Sequence, residues 1–215
     1  MEALVVRRGP WAVPVLTREG SGGHIGLLVG EGMLVRSVGL PGRAGAELLG
    51  PGDIIRPWEN GDPIASLPSA LTWTVLEPAR LAVLDRRFVA SVCEWPEVVA
   101  AIAARTVHRS QRLAFQLAIS HLTRVDARLL AFFWRCADRW GHVTPEGVVL
   151  RMRVTHELLA KLVGVQRPSV TTALKHLSRR RAVVRRPDGS WLLQGEPPDI
   201  EALLRGAASE AVATG

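Results

Sequence analysis

The densest run of chemically useful side chains in this sequence lies between Arg151 and Asp188. Arg179, Arg180, Arg181, Arg185 and Arg186 crowd together there, with Arg151, Arg153, Lys161 and Lys175 nearby, and the stretch holds only Glu157 and Asp188 as acids. Cations at that density suit the phosphates of a polyanion, whose neutralisation supplies most non-specific affinity for nucleic acid. A solvated basic face is the competing reading. Catalysis finds no comparable support. No nucleophile elbow, phosphate-binding loop, dinucleotide fingerprint or zinc motif occurs, and Ser21, His24 and Asp85 stand without evident partners. Cys93 and Cys136 lie far apart and give neither a disulfide framework nor a metal site. We therefore expect no enzyme, no cofactor and no metal.

The elements around the basic run decide between the two readings. The segment "THELLAKLVGVQRPSVTTALKHL", Thr155–Leu177, reads as an amphipathic helix that stops and restarts. Thr155 is a good N-cap, Glu157 suits the first turn, and Leu158, Leu159, Leu162 and Val163 share one face. Gly164 supplies a left-handed terminus and Pro168 fits the first turn of the next helix. There Val170, Ala173, Leu174 and Leu177 face inward, which leaves Arg167, Ser169, Thr172, Lys175, His176 and Arg179 outside. Two short helices across a tight glycine turn form a helix-turn-helix. "RRRAVVRRPDGSWLLQG" then predicts strand, turn and strand, a wing beside the second helix. That placement favours the nucleic-acid reading.

The remaining chain divides by texture. Up to about Trp95, short apolar runs alternate with Gly and Pro, as in "WAVPVL" and "LTWTVLEPARLAVLD", predicting an all-β sandwich or roll with turns at Gly30–Gly32 and Gly50–Asp53. From Pro96 to Leu122 no glycine interrupts a long helix whose apolar stripe includes Val98, Val99, Ile102, Leu113, Leu117 and Leu122. We read the stripe as a homodimeric seam, with packing inside the monomer as the alternative. A further helix, capped by Thr123 and closed at Gly141, carries a stripe of Leu129, Leu130, Phe133, Trp134 and Ala137. "HVTPEGVVLRMRV" reads as a loop or short hairpin. The chain has 215 residues, a net charge of +7 and 47 % hydrophobic residues. No apolar run reaches the ~18 residues of a membrane span, and the N-terminus makes a poor signal peptide, so a cytoplasmic protein is expected.

"VTHELLAKLVGVQRPSVTTALKHL" and "HLTRVDARLLAFF", in this order of segments, resemble the Crp/Fnr superfamily of bacterial transcription regulators. The resemblance covers nearly the whole chain. It implies an α+β fold: an N-terminal β-roll of the cyclic-nucleotide-binding jelly-roll kind (1–95), a long dimerisation helix (96–122) and a winged helix-turn-helix (123–200), followed by a tail (201–215). It also implies a homodimer with one recognition helix per subunit in successive major grooves of pseudo-palindromic double-stranded DNA, roughly 10 base pairs apart.

Matched to the family's recognition helix, Arg167 keeps the first base-reading arginine, whereas Pro168 replaces the usual glutamate and Thr172 the second arginine. Gln166, Arg167, Ser169 and Thr172 are the base-reading candidates, and Thr155, Lys175, His176, Arg179, Arg180, Arg185 and Arg186 the phosphate candidates. The effector region departs further. Pro57-Trp58 stand where cyclic-nucleotide-binding members have Gly-Glu, Pro68 stands for the arginine before Ser69-Ala70, and Leu113-Ala114 for the Thr-Ser pair. Ordinary cyclic-AMP control is not expected. Arg56, Trp58, Glu59, Asp62, Ser69 and Leu113 are candidates for a different effector, with Trp58 as a simple plug the alternative. Ile102, Leu113 and Leu117 are candidates for the dimer helix, and Thr144–Gly147 matches a family surface that touches RNA polymerase. An architectural DNA-binding protein without an effector and a cyclic-nucleotide-responsive regulator with an atypical pocket remain as alternatives.

Overall fold

The computed structural model describes residues 3–12, 24–40, 43–58 and 70–199. Contacts divide the chain into two compact units, Met1–Leu113 and Ala114–Gly215. Among the described residues no helix is long and apolar enough to cross a membrane.

The first unit is an antiparallel roll. Its strands are β1 (Ala3–Val6), β2 (Gly9–Pro10), β3 (Gly26–Leu40), β4 (Arg43–Leu49), β5 (Ile54–Ile55) and β6 (Ala70–Leu84). They run in the order β1-β6-β3-β4, with β2 paired to β6 and β5 to β3. Leu27, Val29, Leu34, Leu49, Ile55, Val75 and Leu81 fill the core, joined by Trp58 and Trp73. The alternation through Trp73, Val75 and Leu81 therefore does point one face inward. The turn at Gly50–Asp53 forms as expected: Asp53 N donates to Gly50 O at 3.0 Å and Gly50 N to Asp53 Oδ2 at 2.9 Å.

Gly30–Gly32 is not a turn. β3 runs straight through it, and the ladder to β6 shifts register between Val29 and Leu34. The partner segment contains Pro78, which has no N–H to give to a ladder. Gly32 sits at φ +84°, and the Pro78 carbonyl oxygen occupies the space that a Cβ would need. The glycines thus serve a bulge packed against a proline rather than a chain reversal.

A second departure follows β6. Asp85, isolated in the sequence, caps a short helix α1 (Arg86–Val92) by accepting from Phe88 N at 2.8 Å. A helix of that length, between a strand and Pro96, left no periodicity to detect.

Helix α2 (Pro96–Ser120) belongs to the first unit up to Leu113. What holds that part to the roll is a charged row rather than an apolar stripe. Arg105, Arg109 and Arg112, at i, i+4 and i+7, lie on one helix face. Arg105 donates to Gly52 O at 2.8 Å. Arg109 holds the Glu47 carboxylate with two bonds of 2.7 and 2.8 Å and reaches Ile54 O at 3.3 Å. Arg112 pairs with Asp53, and Arg36 on β3 meets Glu47 at 3.0 Å. Glu47 and Asp53 are both buried, so these arginines offset the desolvation of two carboxylates. The bonds to Glu47 in turn hold the Arg109 pKa above its ordinary value. On α2, Val99, Val107 and Leu117 remain 47 %, 54 % and 63 % exposed, while Ile102 and Leu113 are half-buried. Leu122 does not continue the stripe. It lies beyond the helix end, buried in the second unit.

The second unit contains α3 (Val125–Trp140), β7 (Gly141–Thr144), β8 (Gly147–Leu150), α4 (His156–Val163), α5 (Arg167–Arg179), β9 (Val183–Arg185) and β10 (Trp191–Leu193). Thr123 does not cap α3; Arg124 occupies that position, without a side-chain cap bond. The face of α3 turned inward keeps Leu129 and Phe133 of the expected stripe but differs in the rest. Leu129, Phe132, Phe133 and Cys136 are buried, whereas Leu130, Trp134 and Ala137 are half-buried. Burial pushes the Cys136 thiol up to about 12, as suits a packing residue. "HVTPEG" is a β7–β8 hairpin that joins the wing strands in one sheet, β7-β8-β10-β9. Trp191 anchors that sheet, with its ring 4.8 Å from Phe133 and its Nε1 donating to Met152 O at 3.0 Å.

Gly32→Ala is expected to destabilise the protein by at least about 2 kcal/mol, from left-handed strain plus backbone overlap. Urea unfolding midpoints measure it, and an unchanged midpoint refutes the bulge.

Candidate nucleic-acid interface

The helix-turn-helix forms as its sequence dictates. Thr155 accepts from Leu158 N at 3.1 Å and starts α4. Gly164 ends it in the left-handed region at φ +69°. Arg128, reaching from α3, donates to the Val163 and Gly164 carbonyls at 3.4 Å each, covering acceptors that a helix end leaves open. Gln116 Nε2 adds a bond to Leu162 O at 2.9 Å. Helix α5 starts after Gln166, with Pro168 in its first turn. Val170, Ala173, Leu174 and Leu177 are buried beneath it.

The opposite face of α5 is open. Gln166, Arg167, Thr172, Lys175, His176, Arg179 and Arg180 are exposed and Ser169 is half-buried. The helix lies between two grooves. Ser169, Thr172 and His176 line one of about 560 Å³, opposite Arg124, Val125 and Asp126 at the start of α3. Lys175 and Arg179 line the other, of about 390 Å³, opposite Arg185 and Trp191 of the wing. The structure thus brings most of the candidates onto one helix and its two flanks.

Electrostatics sort the rest. Arg185 stacks over the Trp191 ring at 5.5 Å, which fixes it beside the second groove. Arg186 differs: its guanidinium meets Glu146 of the β7–β8 turn at 3.8 Å, so this phosphate candidate has a carboxylate rival. Asp188 is exposed on the wing turn and keeps its negative charge there. It accepts from Ser190 N and Oγ at 2.8 and 2.6 Å, closing the wing turn, and those bonds lower its pKa. The Arg124 guanidinium likewise lowers that of Asp126. Arg181 takes φ 56°, a left-handed stop at the end of α5 where glycine is usual.

Two groove residues escaped the sequence reading. His156 Nδ1 lies 3.0 Å from Thr171 Oγ1, which also bonds Arg167 O at 3.2 Å. A hydroxyl has one proton; with it on the Arg167 carbonyl, the imidazole donates from Nδ1. Burial first, then the charges of Arg185 and Arg167, lower the His156 pKa. The only available signal was its position directly after the Thr155 cap. Of the effector candidates, Trp58 is buried in the roll's core, as a plug would be, and Arg56 lies at its edge with its guanidinium 6.0 Å from the Trp58 ring. Glu59, Asp62 and Ser69 lie outside the described residues.

Residues 127–195 match the Crp-like helix-turn-helix domain family. No curated protein sequence matches the chain. Solved structures do. A CooA mutant from Carboxydothermus hydrogenoformans is similar with a TM-score of 0.66 at 16 % identity, covering 96 % of this chain and 87 % of that one. FixK2 from Bradyrhizobium japonicum gives 0.63 at 15 % identity, covering 95 % and 96 %. A CRP-family transcriptional regulator from Thermus thermophilus gives 0.60 at 21 % identity, covering 97 % of each. The chain has their fold.

Because its folded pKa lies below the ordinary 6.5, His156 stays neutral in the fold at a pH where the unfolded chain already binds a proton. Its contribution to stability therefore falls as pH drops below about 6.5 and is absent above it. NMR titration of the imidazole should give a midpoint below that of a denatured control, and a raised midpoint contradicts the geometry.

Proposed function

We propose that this chain, with a Crp-like helix-turn-helix domain and the fold of the CRP/FNR regulators, is a transcription regulator that reads double-stranded DNA as a homodimer. The observation that carries this reading is the open face of α5, flanked by two grooves and by wing cations, over a fully buried apolar face. Arg167 at the exposed start of α5 gives a bidentate pair to guanine, worth ~1–3 kcal/mol of discrimination. Gln166, Ser169 and Thr172 read or buttress beside it. Lys175, Arg179 and Arg185 take phosphates along the wing groove. Thr155, His176 and Arg180 complete the phosphate set, and Arg186 joins it on leaving Glu146.

In this reading the roll spans 1–95, the dimer helix 96–122, the winged helix 123–200 and a tail 201–215. The exposed Val99, Val107 and Leu117 support a seam between two copies of α2, with Ile102 and Leu113 at its margin. The β7–β8 turn at Thr144–Gly147 is the contact for RNA polymerase, and the protein works in the cytoplasm. Cyclic AMP is not its effector in the usual way: a buried Trp58 follows Pro57 where the nucleotide-binding pattern has Gly-Glu.

Binding across a library of duplexes separates a regulator from an architectural protein. Arg167→Ala should relax preference at one base position per half-site, whereas Lys175→Ala should weaken all sequences alike and lower the salt slope by about one. Uniform weakening by both variants identifies an architectural protein instead. Leu117→Glu should shift sedimentation from dimer to monomer at micromolar concentration; an unchanged dimer places the seam elsewhere.

A further inference from the structure

One side chain in the wing groove changes charge near neutral pH. His156 lines that groove with Lys175, Arg179 and Arg185, and the described lining holds no carboxylate. Glu157, next to it on α4, is paired with Lys161 at 3.2 Å. From α5 the imidazole meets the Thr171 hydroxyl and the charge of Arg167, and from the wing the charge of Arg185. Trp191 of the same lining carries no charge.

Thr171 decides which nitrogen of that ring carries the proton. Its hydroxyl gives its one hydrogen to Arg167 O at 3.2 Å, so His156 Nδ1 donates to Thr171 Oγ1 at 3.0 Å. In the neutral ring the proton is therefore on Nδ1, and Nε2 presents a lone pair. A lone pair repels a phosphate oxygen. The protonated ring keeps its bond to Thr171 and gains an Nε2–H, a charged donor for an oxyanion. Lysine and arginine beside it offer phosphate a donor at every physiological pH. His156 offers one only after it has taken up a proton.

We propose that His156 is a conditional phosphate contact: its Nε2 holds the DNA backbone in the wing groove when the ring is protonated and repels it when the ring is neutral, so that each subunit takes up a proton from solvent on binding. The inference rests on the reading above that α5 and the wing hold DNA, and adds to it a response to pH. In the free protein, burial and the charges of Arg185 and Arg167 hold the His156 pKa below its ordinary value. A phosphate entering the groove offsets those cations and accepts from the charged ring, and both effects favour the protonated form. Affinity for DNA therefore rises as pH falls through the range in which the ring titrates, while the lysine and arginine contacts stay constant.

Phosphate contacts do not depend on sequence, so the full-length protein is titrated with a fluorescein-labelled duplex of mixed sequence, about 30 base pairs long, at one fixed salt concentration. Between about pH 7.5 and about pH 5.5 the native protein should tighten at least about ten-fold more than His156→Asn, which keeps an amide donor for Thr171 but does not titrate. His176→Asn, on the exposed face of α5, should retain that excess. Nitrogen-15 spectra of the imidazole supply two readouts that need no variant. At about pH 7.5 the free protein should carry the proton on Nδ1, and adding the duplex should raise the titration midpoint of His156. A proton on Nε2, a midpoint unmoved or lowered by DNA, equal pH dependence in the native protein and His156→Asn, or loss of the excess in His176→Asn overturns the inference and leaves DNA binding intact. Failure to bind the duplex at every pH overturns the reading on which it rests as well.

Discussion

The angle set at Gly164 is the constraint on which the DNA-facing surface depends. A helix that continued through this point would carry Arg167 and Lys175 along the axis of α4. The left-handed residue instead turns the chain, and Val165 N closes the turn on Ala160 O at 3.0 Å. Arg128 then fastens the turn to α3 through the two terminal carbonyls. The apolar side of α5 seals the arrangement from below, with Val170 completely buried. Only then do Arg167, Thr172, Lys175 and Arg179 of α5 stand exposed, between the grooves toward α3 and the wing. A side chain at position 164 would have to adopt a conformation that L-residues disfavour, so presentation of the helix and identity of this one residue are tied together.

Arginine does two different jobs in the two units, and net charge cannot tell them apart. In the roll, Arg36, Arg109 and Arg112 are drawn onto buried carboxylates and act as structural bolts. In the winged helix, Lys175, Arg179 and Arg185 line an open groove, with Arg185 oriented by an aromatic ring rather than by an acid. A count of +7 therefore overstates the charge available to DNA from the first unit. The usable field comes from a short stretch of the second, where Glu157 and Glu146 are paired with Lys161 and Arg186.

The helix-turn-helix was legible because its determinants are local. A cap, a glycine, a proline and a 3.6-residue apolar period all lie within the one stretch from Thr155 to Leu177. The wing was legible for the same reason, through Pro187-Asp188-Gly189. What the sequence left hidden is non-local. The bulge at Gly32 exists because Pro78 lies opposite on another strand. The role of Asp85 depends on a helix too short to have a period. Arg109 has its role from Glu47, which β4 brings against it from 62 positions away in sequence. His156 was hidden by its neighbour, since the cap at Thr155 explained the local pattern without it. Of the stripe expected on α3, Leu129 and Phe133 are buried, while Trp134, a core residue by type, is only half-buried and Phe132 and Cys136 complete the inward face.

In-vitro selection of random duplex DNA by the purified protein, at physiological salt and without added ligand, tests the central claim most directly. A dimer presenting two copies of α5 predicts a two-fold symmetric motif whose half-sites lie about one helical turn apart, with a guanine at the position lost in Arg167→Ala. Binding without any enriched motif, or enrichment of an asymmetric single site, would contradict a dimeric reader built on this helix.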